Sequence, residues 1–398
     1  MEVKIHRPDQ IGGCVTEMIS GGVRIFIDIG ENLPALDKKG AKDLEIEGLT
    51  TGNPDCAGVF VSHYHGDHIG MFNKVLPGIP VFMGKVAHRL YLKLNEYIRS
   101  DNIEKIRAFN TFNAAEKIKI ADDFTITPFC VDHSAYDAYM FLIETEGKQI
   151  LHTGDFRAHG WKMKGVLKVI ESYIRNVDLL IIEGTMLSRT SENVMREIDL
   201  LNSARVLMRE NRNTFVLCSS TNIDSIASFY NAAQETGRLF VCDRYQRSVL
   251  DIVSETAQSS IYRFPKAKIY WDGREECIDK MKQYGFCMLV RANDRFEKVM
   301  NLFPDSLFIY SMWDGYLKGD TLDEKIYNFI PKDEHGKPKY KGLHTSGHAT
   351  CETIVEVCKK LRPAIIIPIH SEKPEMFHEL GLEGCEIKIL SNKEAFTF

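Results

Sequence analysis

Short apolar runs rich in β-branched residues recur through the first part of the chain. Runs of about four to eight such residues, bounded by turns, predict strands buried on one or both faces. A helical pattern over residues 85–100 interrupts them, so this part predicts a mixed sheet with helices outside. The predicted strands are 23–29, 59–62, 81–83, 124–131, 139–143, 149–153 and 177–185.

Beyond this part, strands and helices alternate. Helices are predicted from Ser191 onward and over 223–235 and 247–257, and strands over 214–218, 238–242 and 307–312. This alternation predicts βαβ units and therefore a parallel sheet. A polar stretch, 331–341, predicts a loop before a last helix (350–361) and strand (364–369).

Composition and charge limit the function classes. A chain of 398 residues exceeds the usual size of one hydrophobic core, which predicts two lobes. The net charge of −5 does not favour non-specific nucleic-acid binding. No long apolar stretch or signal-like start is present in the sequence, so we expect a cytoplasmic protein without membrane contact. The ten cysteines form no C-x-x-C pair, which argues against a zinc ribbon or disulfide framework.

The densest group of metal-binding residue types is SHYHGDH, residues 62–68, directly after a predicted strand. At a strand end His63 and His65 point to the same side, and Asp67 and His68 follow around a turn. Imidazole and carboxylate suit zinc, and a set without thiolate is typical of an open, catalytic site. A hydrogen-bonded surface cluster is the alternative, but the density of ligand types favours a metal site.

The pattern H-x-H-x-D-H resembles the motif of the metallo-β-lactamase superfamily, whose fold is a four-layer αβ/βα sandwich. The resemblance implies two further metal-binding residues after predicted strands, His133 and Asp155. Asp155 is the candidate bridge, since a carboxylate between two dications offsets their repulsion. Asp28 matches the family's first acidic motif and is expected to accept an N–H from a ligand histidine. An ordinary turn residue is the alternative for Asp28.

The C-terminal third of the sequence resembles one particular group within this superfamily. About 150 residues separate VDLLIIEGT from HTSGHAT and IIIPIH, an order similar to that of the β-CASP group, which includes ribonuclease J. In that group the acidic residue that follows the aspartate motif corresponds to Glu183. The histidine of the S-G-H motif corresponds to His348, and the last metal ligand corresponds to His370. The resemblance implies a metallo-β-lactamase domain in two parts, with an α/β β-CASP domain inserted between them; the boundaries are 1–188, 189–340 and 341–398.

The same resemblance implies two Zn²⁺ ions, with Mn²⁺ as the alternative because both metals accept nitrogen and oxygen ligands. The expected ligands fall into two sets with Asp155 between them. These sets are His63, His65 and His133 for one ion, and Asp67, His68 and His370 for the other.

The candidate catalytic residues are Asp67, Glu183 and His348. His348 follows Ser346 and Gly347, small residues whose backbone allows close approach of an anion. An imidazole held by Glu183 stays protonated, contacts the scissile phosphate and stabilises charge on its oxygens. A polar residue at a helix N-terminus is the alternative for His348.

The segment LCSSTN also resembles the β-CASP domain, in which a turn from strand to helix holds substrate phosphate. Here Ser219, Ser220 and Asn222 offer hydroxyl, amide and backbone donors at the start of a predicted helix. An ordinary helix cap explains the segment equally well.

The implied function is that of a zinc-dependent phosphodiesterase that cleaves single-stranded RNA, as an exonuclease, an endonuclease or both. The alternatives are a small-molecule hydrolase of the lactonase or thioesterase type, a DNA nuclease of the same group, and a catalytically idle binding module. Three features depart from ribonuclease J: Ser371 follows His370, the chain ends 28 residues after His370, and the turn LFVCDRYQRS stands where a Gly-Arg segment is expected. We therefore expect the ribonuclease J C-terminal domain to be absent, and the oligomeric state stays open.

Overall fold

The computed structural model describes residues 1–33, 44–189 and 194–398. Two compact units are present. The first unit comprises Met1–Ala158, Lys162–Asn193 and Gly347–Phe398, and the second comprises His159–Trp161 and Val194–Ser346. The helix start predicted at Ser191 lies outside the described residues, and the helix is described from Glu197.

The elements are numbered in chain order. The described strands are β1 (Glu2–His6), β2 (Val15–Ser20), β3 (Val23–Ile27), β4 (Gly58–Val61), β5 (Val81–Gly84), β6 (Asn110–Phe112), β7 (Ile118–Ala121), β8 (Phe124–Cys130), β9 (Tyr139–Thr145), β10 (Lys148–His152), β11 (Leu179–Glu183), β12 (Asn213–Cys218), β13 (Leu239–Cys242), β14 (Lys268–Ile269), β15 (Phe286–Val290), β16 (Leu307–Ser311), β17 (Lys341–Gly342), β18 (Ile365–Ile369), β19 (Glu386–Ile387) and β20 (Ala395–Thr397). The described α-helices are α1 (Gly66–Ile69), α2 (Lys85–Ile98), α3 (Ile103–Arg107), α4 (Met163–Tyr173), α5 (Glu197–Glu210), α6 (Ile223–Glu235), α7 (Arg244–Thr256), α8 (Glu275–Tyr284), α9 (Asp294–Met300), α10 (Glu324–Phe329) and α11 (Cys351–Leu361).

The first unit contains two seven-stranded sheets, ordered β20-β1-β2-β3-β4-β5-β6 and β19-β18-β11-β10-β9-β8-β7. Strand β9 shows how they pack, because successive side chains of a strand face opposite sides. Phe141 and Ile143 join a core shared with residues of the first sheet, such as Phe60. Met140 and Leu142 join a second core with helices α4 and α11. Helix α2 packs on β5, outside the first sheet. The predicted α/β sandwich is confirmed.

The strand directions bring several chain segments to one edge of this sandwich. β3 and β4 run parallel, as do β10, β11 and β18. β8 and β10 are each antiparallel to β9 and so share a direction. The carboxyl ends of parallel strands meet at one edge of a sheet, where ligands bind in α/β proteins. The turns after these strands carry the candidate site residues.

Two of these strands end at a non-glycine residue with left-handed backbone geometry. Asp28 follows β3 with φ of 62°, and His370 follows β18 with φ of 51°. This conformation is costly for residues with a Cβ, and it concentrates at functional sites. It also explains why β3 ends at Ile27 rather than at the predicted residue 29.

The second unit has one six-stranded sheet, ordered β14-β13-β15-β12-β16-β17. Each recorded strand pair in it is parallel, as the alternating pattern predicted. Strand β15, which lies between β13 and β12, is not among the strands predicted from the sequence. Its five residues, FCMLV, are buried and show no alternation that would distinguish a strand from part of a helix.

Glu17 on β2 forms a buried ion-pair network that secures the first sheet. Its carboxylate accepts from Arg24 Nε at 2.9 Å and lies 3.0 Å from His6 Nε2. Burial raises the pKa of Glu17, but the hydrogen bonds with His6 and Arg24 outweigh it and lower this pKa to about 2. The stabilisation is therefore complete above the unfolded-state pKa of roughly 4.3 and is lost as pH falls through about 2.

We expect Glu17→Gln to lower the free energy of unfolding by about 3 kcal/mol at pH 7, since a lowered pKa measures the stability given by the ionised form. Urea unfolding at pH 7 and pH 3 tests this, and the variant should lose less stability on acidification than the wild type. Glu2→Gln, which removes a partly exposed partner of Lys4, is the control and should cost under about 1 kcal/mol. Equal acid sensitivity of Glu17→Gln and wild type would contradict the assignment.

Among the described residues, no helix has the length and apolar character needed to cross a membrane.

Candidate metal centre and phosphate site

Three imidazoles form the first group of potential metal ligands. His63 and His65 follow β4, and His133 follows β8. The three offer ligand nitrogens that all lie within 4.8 Å of one another. His65 Nδ1 lies 3.0 Å from His63 Nε2 and 3.4 Å from His133 Nε2. Three nitrogens facing one point at these separations fit a single cation with imidazole ligands.

A second group mixes imidazole and carboxylate. His68 Nε2 lies 3.1 Å from Asp155 Oδ2, and His370 Nε2 lies 3.3 Å from Asp67 Oδ2. Asp155 also joins His63 and His68 in a set whose ligand atoms lie within 4.8 Å of one another. Asp155 therefore lies between the two groups. All seven residues predicted as metal ligands lie in the first unit, at the edge defined by the strand ends.

The rings are held so that a nitrogen remains for a metal. The Nδ1 atoms of four of these histidines have partners in the protein. These partners are Ser62 Oγ for His63, Asp28 Oδ2 for His68, the Gly347 carbonyl for His133 and Thr185 Oγ1 for His370, at 3.0, 2.8, 2.7 and 2.6 Å. Such contacts fix the tautomer and orientation of metal-binding histidines. Their Nε2 atoms face the two groups.

Asp155 gives an independent test of whether these residues fit metal ions. Its side chain is 2% exposed, and its Oδ1 atom is buried without a hydrogen-bond partner among the described residues. A buried carboxylate oxygen without a partner is costly in a protein, and a cation beside it removes that cost. The donor set of imidazole nitrogens and carboxylate oxygens suits zinc or manganese. The residues present therefore fit a two-metal site.

The two groups differ in their electrostatics. Burial and neighbouring imidazoles lower the pKa values of His63 and His133 well below the ordinary value. Burial also lowers the pKa of His65, to about 4, although Asp67 opposes this shift. These rings are neutral at pH 7, the state that binds a metal.

In the second group, neighbouring charges set the direction of the pKa shifts, and burial acts in the opposite direction. Burial lowers the pKa values of His68 and His370, but the Asp155 carboxylate and smaller contributions from other neighbours together outweigh it and raise both values. The pKa of Asp155 is held well below its ordinary value, because His370 and His68 outweigh burial. Metal binding at these histidines would therefore release protons.

His348 lies beside the second group. Its Nδ1 atom is 3.2 Å from Glu183 Oε2 and 3.5 Å from Asp155 Oδ2, and its side chain is 21% exposed. Glu183 ends β11 and is fully buried, and it accepts from the backbone N–H groups of Phe156 and Ala349. A carboxylate fixed in this way orients the imidazole. The His348 ring is thus partly exposed beside the second group.

The residues predicted to contact phosphate are divided between the two units. Gly347 belongs to the first unit and Ser346 to the second. A Cβ at Gly347 would lie 2.9 Å from Ser134 Oγ and 3.1 Å from His133 Cε1, so a larger residue here would displace these side chains. The Ser346 carbonyl lies 2.9 Å from His159 Nε2. A contact of either residue with substrate stays a prediction.

In the second unit, Ser219, Ser220 and Asn222 form the turn between β12 and α6. Asn222 Oδ1 accepts from the Ser225 backbone N–H at 3.2 Å and so caps α6. Ser219 Oγ lies 3.2 Å from Thr221 Oγ1. The helix-cap alternative therefore describes Asn222, while the hydroxyl groups of Ser219 and Ser220 remain candidates for phosphate.

Two residues that support the histidines, Ser62 and Thr185, are not among those predicted from the sequence. Ser62 contacts Asp28 and His63 at once, and Thr185 holds His370. Both stand within two positions of a predicted site residue, which is the only signal that the sequence offers. Asp28, predicted to accept from a ligand histidine, lies 2.8 Å from His68 Nδ1.

The chain is similar to several known proteins. The family model described as "Beta-lactamase superfamily domain" matches residues 24–213. Ribonuclease J of Mycoplasma genitalium is 24% identical over 393 residues, which cover 92% of this chain and 68% of that protein. Ribonuclease J of Helicobacter pylori strain B128 is 24% identical, over 91% of this chain and 54% of that protein.

A solved structure extends the comparison of the fold. The crystal structure of a protein of unknown function from Enterococcus faecalis V583 superposes with a TM-score of 0.76 at 24% identity, covering 99% of both chains. Together with the sandwich and the histidine and aspartate cluster, the comparisons indicate the class: residues 24–213 are similar to the β-lactamase superfamily domain, and the chain as a whole is similar to ribonuclease J proteins. It is a metal-dependent hydrolase whose curated relatives include ribonuclease J.

Proposed function

We propose that this protein is a zinc-dependent phosphodiesterase that cleaves single-stranded RNA. The observation that carries the proposal is the position of His348, which lies 3.2 Å from a buried glutamate and beside a set of residues that fits two metal ions. Lactones and thioesters have no phosphate, so a hydrolase of these substrates does not need His348 to contact a phosphate oxygen. The similarity to ribonuclease J proteins adds support for RNA as the substrate.

In this proposal His63, His65 and His133 hold one ion, and a second set holds the other: Asp67, His68 and His370, with Asp155 between the two. When bound, such ions act as Lewis acids on a phosphoryl oxygen and lower the pKa of water. Asp28, Ser62 and Thr185 keep the histidine rings oriented toward this centre.

The His348 imidazolium, oriented by Glu183, donates a hydrogen bond to a non-bridging oxygen of the scissile phosphate and stabilises its developing charge. Donors fixed before reaction contribute more than flexible ones, because they need no reorganisation in the transition state. Four groups fix the glutamate: His348, the backbone N–H groups of Phe156 and Ala349, and that of Thr185.

The direct test uses zinc-loaded protein with 5′-monophosphorylated and internally labelled single-stranded RNA, and with DNA of the same sequence. We expect cleavage of RNA, with products that carry a 5′-phosphate. Cleavage of DNA alone would move the assignment to a DNA nuclease. No cleavage of either polymer, with two metal ions bound and a lactone or thioester hydrolysed instead, would replace the proposal by a small-molecule hydrolase.

The second unit has a surface suited to a single-stranded polyanion. Arg244 follows β13, and Trp271 and Arg274 follow β14, so all three lie at the carboxyl edge of the parallel sheet. The Arg244 and Arg274 guanidinium carbons lie 4.4 and 4.9 Å from the Trp271 ring centroid. No carboxylate of the described residues forms an ion pair with either arginine. In such a surface the cations can bind phosphates, and the aromatic ring can stack on an unpaired base.

We expect Arg244→Gln/Arg274→Gln to raise KM for single-stranded RNA about 10-fold, with kcat changed little, and to flatten the salt dependence of log KM by about 1.4, since each phosphate contact contributes about 0.7. Turnover of bis(p-nitrophenyl) phosphate should not change. Arg209→Gln/Arg263→Gln is the matched control, because both arginines are exposed and precede the amino ends of β12 and β14. Equal KM values for the two double variants would exclude this surface.

A further inference from the structure

Cys14 reaches the second group of potential ligands from a distant part of the sequence. It directly precedes β2, which is antiparallel to β3, so it lies beside the carboxyl ends of β3 and β4. Its backbone N–H donates to the Asp67 carbonyl and its carbonyl accepts from the Gly30 N–H, each at 3.0 Å. The residue is 8% exposed. Both backbone bonds hold Cys14 against the motif that begins at residue 62.

The side chain of Cys14 completes a set of ligand atoms. Its Sγ atom and one ring nitrogen each of His68 and His370 all lie within 4.8 Å of one another. These two histidines also flank Asp155, whose Oδ1 atom is buried without a partner among the described residues. Two independent observations, the Cys14 thiol and the Asp155 oxygen without a partner, therefore lie beside the same two histidines.

We propose that Cys14 is a further ligand of the metal ion held by His68 and His370, which makes this position a mixed sulfur, nitrogen and oxygen site. The inference rests on the two-metal centre of the proposed function. On binding, the thiol loses its proton to solvent and the sulfur ligates as thiolate. A thiolate selects zinc or cobalt over manganese, which prefers oxygen ligands. The local motif alone, which lacks cysteine, gives no sign of this preference.

The ordinary alternative is that Cys14 is a small buried side chain that only fills space. Such a cysteine packs as an apolar residue, and serine in its place changes local packing without altering metal preference. Metal selectivity and a sulfur-specific spectrum therefore separate a ligand from a space-filling residue.

The experiment is a Co²⁺ titration of the full-length protein, monitored by absorption. Wild type should bind two equivalents and develop a sulfur-to-cobalt charge-transfer band in the near ultraviolet. Cys14→Ser should lack the band, bind Zn²⁺ at one of its two positions about 10-fold more weakly, and bind Mn²⁺ within about twofold of wild type. Cys385→Ser, which alters a partly buried cysteine remote from the cluster, is the control and should retain the band.

A second measurement needs no variant and so does not depend on the folding of Cys14→Ser. X-ray absorption at the zinc edge of the loaded wild type should show a sulfur neighbour at about 2.3 Å, averaging one sulfur per two zinc ions. Two bound ions without any sulfur neighbour would overturn the ligand role of Cys14 and leave the two-metal hydrolase in place. Failure of the wild type to bind two ions would instead overturn the metal centre itself, and with it this inference.

Discussion

Replacement of His348 by alanine is expected to lower kcat for RNA cleavage by about 100- to 1,000-fold while leaving the metal content at the wild-type value. This is the usual cost of removing one donor fixed at an oxyanion. His348 contacts Glu183 and Asp155 through Nδ1, and Asp155 keeps His68 as its partner in the variant. The two ligand groups therefore stay intact. Steady-state kinetics on single-stranded RNA, with metal analysis of the same sample, measure both quantities.

Two controls separate catalysis by His348 from a structural role. His335→Ala removes an exposed histidine of the second unit, 75% exposed at the side chain, and should leave kcat unchanged. Glu183→Gln keeps an acceptor for the ring but removes the carboxylate charge that faces it, so kcat should fall. Wild-type RNA turnover by His348→Ala would remove this residue from the mechanism.

The parts of the fold and site that can be predicted from sequence are those in which neighbouring residues carry the signal. His63 to His68 stand within six positions, and the turn after one buried strand is enough to bring their side chains together. His133, Asp155 and His370 have no such local signal. The family resemblance supplied them, and the carboxyl ends of parallel strands explain why they meet.

The contacts that the sequence does not reveal join residues far apart in the chain. Thr185 holds His370 across 185 residues, and Cys14 lies beside a motif that begins 48 residues later (62 − 14). Such pairs depend on how strands are ordered in a sheet, which no local periodicity encodes. Strand β15 was missed for a related reason. A five-residue apolar run buried on both faces lacks alternation, and only its place between two parallel neighbours identifies it.

The double replacement Asp67→Ala/His68→Ala is expected to reduce zinc content from two ions to about one per chain and RNA cleavage by more than about 1,000-fold. It removes two ligands of the proposed second ion but none of the three imidazoles of the first group. An in-line displacement loses its charge stabilisation when one ion of a two-metal clamp is missing. Metal analysis after dialysis against excess Zn²⁺, followed by the cleavage assay, tests both effects.

The chain offers a closely matched control for this double variant. Glu334→Ala/His335→Ala also removes an adjacent acid and histidine, but from an exposed loop where the two side chains are 86% and 75% exposed. It should retain two ions and full activity. The cluster variant should also unfold more readily without metal, because Asp155 loses His68 as its partner and stays buried with its charge. Retention of two zinc ions with wild-type cleavage would show that the catalytic centre lies elsewhere in the chain.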